Sequence, residues 1–120
     1  MSRKILLIDD EIPVREFVRE FLEDRDFNVE SACDGLEGVE KFQKENFDLV
    51  ICDMLMPKMI GVQVLRKIKE LKPDQKVIMM TGVTEASMRE KAEALGCHLY
   101  LTKPVKLTEL EAKVNDCFPK

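Results

Sequence analysis

Asp9-Asp10-Glu11, Asp53, Thr81 and Lys103 each stand at or just past the end of a short apolar run. An ionised carboxylate at the edge of a core costs several kcal/mol unless something pairs with it. Asp53, set in Leu-Val-Ile-Cys-Asp-Met-Leu-Met-Pro over residues 49–57, therefore needs a cation, a metal ion or a chemical task. Taken singly, the other residues have plain structural readings: Asp10 or Glu11 could favour a helix N-terminus, Thr81 could start a turn, and Lys103 could be a solvated charge. Gathered at one edge they do not stay plain. Three carboxylates there repel one another and raise one another's pKa unless a cation is present, and hard oxygen ligands, few and close together, suit a Mg²⁺ ion that keeps several waters. Such a set supports phosphoryl transfer. A carboxylate attacks phosphorus to give an aspartyl phosphate, while Mg²⁺ and a lysine neutralise the oxygens of the transferring group. Asp53 is the nucleophile candidate, Asp9 and Asp10 the metal binders beside it, and Thr81 a hydroxyl for a further oxygen.

The elements that must bring these residues together are legible as alternating periods. Lys4 to Ile8 reads as a strand buried on both faces, and from Pro13 the residues Val14, Phe17, Val18, Phe21 and Leu22 recur at helical spacing. The unit repeats: a strand over Phe27 to Ser31 and a helix from Leu36 through Val39 and Phe42; a strand over Asp48 to Cys52 and a helix carrying Val62, Leu65, Ile68 and Leu71. A strand over Lys76 to Met80 and a helix from about Glu85 to Leu95 follow, with Gly96 placed as a C-terminal cap. His98 to Leu101 forms a fifth strand, and Leu107, Leu110 and Val114 mark a last helix opened by Leu107 or Thr108. Five βα units predict an α/β fold, a parallel sheet with helices on both faces, because parallel strands need crossovers and these are right-handed. Ligands in such sheets bind outside the carboxyl ends of the strands, where the order reverses. The Phe and Leu stripes read as core.

Composition narrows the classes. At 120 residues the chain is expected to be one domain over 1–120, large enough to bury about two-thirds of its unfolded surface without a staple. The balance of 45% hydrophobic and 35% charged residues is that of a soluble protein, and a net charge of −4 argues against direct nucleic-acid binding. Cys33, Cys52, Cys97 and Cys117 form no C-x-x-C pair, and with a single histidine they make no zinc set. They read as reduced thiols of a cytoplasmic protein. No basic-then-apolar leader and no run of about 18 apolar residues indicates export or a membrane span.

The ordered set resembles the receiver domain of two-component response regulators, over Lys4 to about Phe118. The likeness rests on Asp9-Asp10, Asp53 with Met56-Pro57 and Gly61 downstream, Thr81, Tyr100 and Lys103-Pro104. It implies a doubly wound (βα)5 fold with flavodoxin-like strand order 2-1-3-4-5. It implies further that Asp53 is the phosphoacceptor, that Asp10, Asp53 and the backbone carbonyl of Leu55 bind Mg²⁺ directly, and that Asp9 does so largely through water. By the same resemblance Lys103 pairs with Asp53 at rest and with a phosphoryl oxygen afterwards, and the Lys103–Pro104 bond is cis. Thr81 moves inward on phosphorylation and Tyr100 turns to fill the space, which switches the surface of the fourth helix, fifth strand and fifth helix.

The implied partner is a histidine kinase or phosphotransfer protein docking near the first helix, at Pro13, Val14, Phe17 and Val18. The implied activity is that of a switch more than an enzyme, accepting a phosphoryl group in a phosphorelay and slowly hydrolysing it. Phosphorylation-dependent homodimerisation through the last two helices and fifth strand is compatible with the set, as are a complete single-domain regulator and the receiver portion of a longer chain. Two departures stand out. Ile60 replaces the acidic residue common before the glycine, which leaves Met59-Ile60 as an apolar pair that either packs into the core or faces a partner. Gly82 replaces an alanine, which implies a changed dephosphorylation rate; Leu55 and Val83, both apolar, would tend to exclude an attacking water. Rival classes fit less well: a haloacid-dehalogenase-type phosphatase needs D-x-D where this chain has Asp9-Asp10-Glu11, and a flavodoxin-like carrier needs a phosphate-binding loop where these acids stand. A phosphorylation-independent interaction module would have no use for the intact acid, hydroxyl and lysine set.

Overall fold

The computed structural model describes residues 3–56, 58–82, 86–97 and 99–118, with the side chains at 86 and 88 left undescribed. Strands β1 (Lys4–Ile8), β2 (Asn28–Ala32), β3 (Leu49–Asp53), β4 (Val77–Thr81) and β5 (Leu99–Thr102) alternate with helices α1 (Ile12–Asp24), α2 (Gly35–Lys44), α3 (Gly61–Leu71), α4 (Ala86–Ala94) and α5 (Leu107–Cys117). The strands pair in parallel in the order β2-β1-β3-β4-β5, so β3 is central and the order reverses at β1 and β3. The expected five-unit parallel sheet is what forms.

The apolar runs are continuous because both faces of the sheet are covered, and alternate residues serve different cores. Leu6, Ile8, Val50, Cys52, Val77 and Met79 pack with Phe42, Leu65 and Ile68 under α2 and α3, joined by Ala92 of α4. Ile5, Leu7, Leu49, Ile51, Ile78 and Met80 pack with Val18, Leu22, Leu110 and Val114 under α1 and α5. This alternation decides where the strand-end residues point. Asp53 continues the Leu49, Ile51 series on the α1 and α5 side, whereas Thr81 continues the Val77, Met79 series on the other.

β1 forms with the bounds expected, but the other four strands end one residue later than the sequence pattern places them. Asp53 and Thr81 are polar, yet each is the last rung of a ladder that carries on through Met54 N–H to Met80 O at 2.8 Å and Lys103 N–H to Thr81 O at 2.9 Å. Backbone pairing ignores side-chain polarity, so a hydrophobic run ends before its strand does. The same shift moves β2 to Asn28–Ala32, leaving Phe27 before the strand, its ring centroid 6.0 Å from that of Phe118. His98, expected to open the fifth strand, and Glu85, expected to open the fourth helix, lie outside the described residues. Gly96 follows α4 with φ +99°, a conformation that needs no Cβ, and Cys97 N–H bonds Ala92 O at 3.0 Å.

One further expectation is corrected and one open alternative is resolved. Not every Phe and Leu of the helical stripes is core: Phe17, Leu36 and Leu71 are each about half exposed, because their helices present apolar residues over a wider arc than the sheet covers. The Met59-Ile60 pair, open to two readings in the sequence, packs half-buried against the α2 and α3 core. Met59 sits over Gly35, where a Cβ would come within 2.7 Å of the Met59 Cβ.

Candidate functional site

Asp9, Asp10, Asp53, Thr81 and Lys103 collect at the carboxyl end of the sheet. Asp53 is 4% exposed at the end of the central strand, Asp9 is fully buried just past β1, and Thr81 is 1% exposed at the end of β4. Carboxylate oxygens of Asp9, Asp10 and Asp53 all lie within 4.8 Å of one another. Lys103 crosses this acid cluster from the segment after β5. Its Nζ donates to Asp53 Oδ2 at 3.0 Å and to Glu11 Oε1 at 2.7 Å, and stands 3.3 Å from Asp9 Oδ2. The Lys103–Pro104 peptide bond is cis.

Each acid is placed by its own local structure. Asp9 N–H bonds Ala32 O at 3.1 Å, which ties the residue to β2, and its Oδ1 accepts Glu11 N–H at 3.0 Å. Arg15, one turn into α1, donates to the Asp9 carbonyl at 2.9 Å. Asp53 is set by the β3–β4 ladder and by close approach of α3: Gly61 N–H bonds Met54 O at 2.8 Å, and a Cβ at Gly61 would lie 2.5 Å from Asp53 O. Ile60 precedes that helix, its N–H bonding the Gln63 side chain at 3.1 Å. Thr81 Oγ1 donates to Gly82 O at 3.1 Å.

Burial and like charge dominate the electrostatics. Burial pushes the Asp53 carboxyl up to about 7; the Lys103 hydrogen bond opposes this and the Asp9 charge adds to it. Burial alone would lower the Lys103 ammonium, but its bonds to Glu11 and Asp53 and the charges of Asp53 and Asp9 outweigh that and raise it. One cation among four acids leaves an excess of negative charge. Asp9 Oδ2 is buried and accepts no hydrogen bond among the described residues despite the nearby ammonium. A buried carboxylate oxygen that takes no hydrogen bond, beside two more carboxylates, is the donor set of a hard divalent cation with few protein ligands, so the residues fit Mg²⁺. Leu55, two residues past Asp53, has its side chain half exposed at the rim.

Tyr100 belongs to a neighbouring region rather than to the acid cluster. Its backbone is level with Met79 in the β4–β5 register, and it packs half-buried against the α2 and α3 core on the face that carries Thr81. Its hydroxyl donates to Arg89 O at 3.2 Å and Cys97 O at 3.4 Å, and the Arg89 guanidinium lies 4.7 Å over its ring. Burial, with the Cys97 and Glu93 side chains, pushes its phenol up to about 12.

One participant was missed from sequence. Glu11 reads there as a favourable charge at a helix N-terminus, but it caps α1 with no side-chain hydrogen bond and instead holds Lys103. The signal available was a third consecutive acid after the first strand.

Parallel strand order, an acid cluster at the reversal point and a lysine just past the fifth strand define a doubly wound domain built to handle an anionic group at one edge. The profile of the response regulator receiver domain matches residues 5–115, and the chain belongs to that family, a class of phosphorelay signalling domains. It is similar to sporulation initiation phosphotransferase F of Bacillus subtilis, 30% identical across 99% of this chain and 96% of the relative. It is also similar to the probable transcriptional regulator ycf29 of Pyropia yezoensis, 36% identical across 97% of this chain but 53% of the relative. The chain thus spans about half the length of several curated relatives it matches. Among solved structures, chemotaxis protein CheY4 of Vibrio cholerae superposes with a TM-score of 0.92, at 29% identity over 98% of this chain and all of that one. Among the described residues no helix is long and apolar enough to cross a membrane.

Proposed function

We propose that this domain is a Mg²⁺-dependent phosphoacceptor switch that takes a phosphoryl group from a phosphohistidine onto Asp53. The observation that carries the reading is a carboxylate buried at the end of the central strand, with an ammonium at 3.0 Å and two further carboxylates beside it. An Asp53 oxygen attacks phosphorus as the nitrogen–phosphorus bond breaks, and the imidazole leaves with the bonding pair. Lys103 follows the phosphoryl oxygens and offsets their charge, and the Thr81 hydroxyl turns from Gly82 O to donate to one of them. Asp10, Asp53 and the Leu55 carbonyl would hold Mg²⁺, with Asp9 acting through water, and the ion would supply charge neutralisation to the phosphoryl oxygens when bound. The domain is a switch rather than a dedicated enzyme, and hydrolysis of its acyl phosphate is slow.

When Thr81 swings toward the phosphoryl group it vacates space on the face it shares with Tyr100. Tyr100 fills that space by giving up its bonds to α4 and the turn before β5, and so alters the α4, β5 and α5 surface. The phosphodonor is a histidine kinase or phosphotransfer protein working in the cytoplasm. It docks in a groove of about 610 Å³ lined by Glu11, Pro13, Val14, Phe17, Lys103, Pro104 and Val105, which opens beside the acid cluster. Phe17 is half exposed there, whereas Val18, the fourth docking residue expected from sequence, is fully buried and drops out of the contact. Homodimerisation through the altered surface is the accompanying output.

Incubation with Mg²⁺ and a small acyl-phosphate donor tests the reading by intact mass. The expected result is one added phosphoryl group in the wild type, none in Asp53→Ala and none with chelator. Mg²⁺ binding without any added mass would replace the reading with that of a phosphorylation-independent module.

A further inference from the structure

Lys103 has one more anchor than phosphoryl capture requires. Of its two hydrogen bonds the shorter runs to Glu11 at 2.7 Å and the longer to Asp53 at 3.0 Å. The Glu11 side chain is more than half exposed, caps no helical N–H and makes this bond across 92 residues of sequence. Ordering a long exposed side chain costs rotamer entropy and a solvent-facing ion pair returns little, so stability is a poor account of the contact. Its geometric effect is clearer. The ammonium is drawn toward the groove, and it stands 3.3 Å from Asp9 Oδ2 without hydrogen-bonding it. That leaves a buried carboxylate oxygen ion-paired but not hydrogen-bonded, a condition costly enough that the nearest ammonium would relieve it if it were free to move closer.

We propose that Glu11 is a positioning residue that holds Lys103 off Asp9 and so keeps the Asp9 oxygen open for the cation. The inference rests on the phosphoacceptor reading of the same site. Without the Glu11 bond, Lys103 turns into the cluster, bonds Asp9 Oδ2 and Asp53 together, and competes with Mg²⁺ for both carboxylates. Glu11 also keeps an acceptor within reach of Lys103 once the cation draws Asp53 away, so the ammonium stays poised at the rim where a phosphoryl oxygen arrives.

Two variants separate this contact from the simple field of a negative charge. Glu11→Gln removes the charge and weakens the bond; Glu11→Asp keeps the charge but is one methylene too short to hold Nζ in place. Mg²⁺ binding isotherms for wild type and both variants, with the side-chain ammonium resonance of Lys103 followed by NMR in the metal-free proteins, give two readouts independent of phosphorylation. Both variants should bind Mg²⁺ on the order of tenfold more weakly, and both should shift the Lys103 resonance. Glu11→Asp matching the wild type while Glu11→Gln binds more weakly would overturn the inference in favour of a field effect, and two variants that both match the wild type would overturn it by showing that Glu11 has no part in cation binding. A wild type that binds no Mg²⁺ would overturn the phosphoacceptor reading itself and this inference with it.

Discussion

The acid edge and the α4–β5 surface are neighbours built to opposite standards. At the edge, Asp9, Asp53 and Thr81 are almost fully buried, and each is tied to a sheet ladder, a helix start or an ammonium. In α4 the buried residue among those described is Ala92, and Tyr100 is held by two long hydroxyl bonds and one cation–π contact. Each such contact contributes about 1 kcal/mol. Buried charge demands many fixed partners because any lapse costs several kcal/mol. A surface held by a few weak contacts can change arrangement for the free energy of one new hydrogen bond. The difference teaches where a charge event is recorded and where it is read.

The comparison can be broken most severely at the acid edge. Replacing Lys103 with Met should lower the rate of phosphoryl uptake from a small acyl-phosphate donor on the order of 100-fold, measured by mass against time at saturating Mg²⁺. Stability should also respond there. The Asp53 carboxyl sits at about 7 when folded, above its ordinary 3.8. The folded protein therefore keeps a proton that the unfolded chain has lost, and wild-type stability without metal falls as pH rises between those values and levels off above 7. Asp53→Asn has no such group and should overtake the wild type across that window by on the order of 2 kcal/mol, read from urea midpoints at pH 4, 6 and 8 in chelator. Gly61→Ala should cost about 1–3 kcal/mol in the same assay at any pH, since the new methyl meets the Asp53 carbonyl and the Met54 Cα, backbone atoms that cannot swing aside as the Met79 methyl beside them can.

Smaller effects sharpen the other side of the comparison. Tyr100→Phe removes the two hydroxyl bonds at α4 and the following turn, and should cost about 1 kcal/mol or less in urea unfolding; a loss as large as that of Gly61→Ala would show the surface to be as firmly built as the edge. Gly82→Ala, adding one methyl beside Thr81, should slow loss of the phosphoryl group by restricting water, followed as decay of the phosphorylated mass. Equal lifetimes would remove the glycine as a determinant.

Much of this was legible in the chain, for reasons that also explain what was not. Leu49-Val50-Ile51-Cys52 reads as a two-sided buried strand because both sheet faces are covered, and the acids, hydroxyl and lysine stand out because they interrupt such runs. Strand ends slipped by a residue because Asp53 and Thr81 are polar but still paired through the backbone. Phe17 and Val18 read alike in a helical stripe, although one faces the groove and the other the core, a difference of 100° of helix rotation that depends on where α1 sits on the sheet. The role of Glu11 depends on Lys103, far away in sequence, and no local pattern announces such a pair. The seating of Met59 depends on the bare backbone of Gly35 beneath it, a contact that no local pattern announces.

The central claim is that Asp53, among acids that lie within 4.8 Å of one another, is the one that carries the phosphoryl group. Borohydride reduction of the phosphorylated domain converts an aspartyl phosphate to homoserine, and peptide mass mapping then locates it. Homoserine at residue 53 alone is the predicted result. Homoserine at residue 9 or 10, or a phosphorylated protein that yields none, would contradict it.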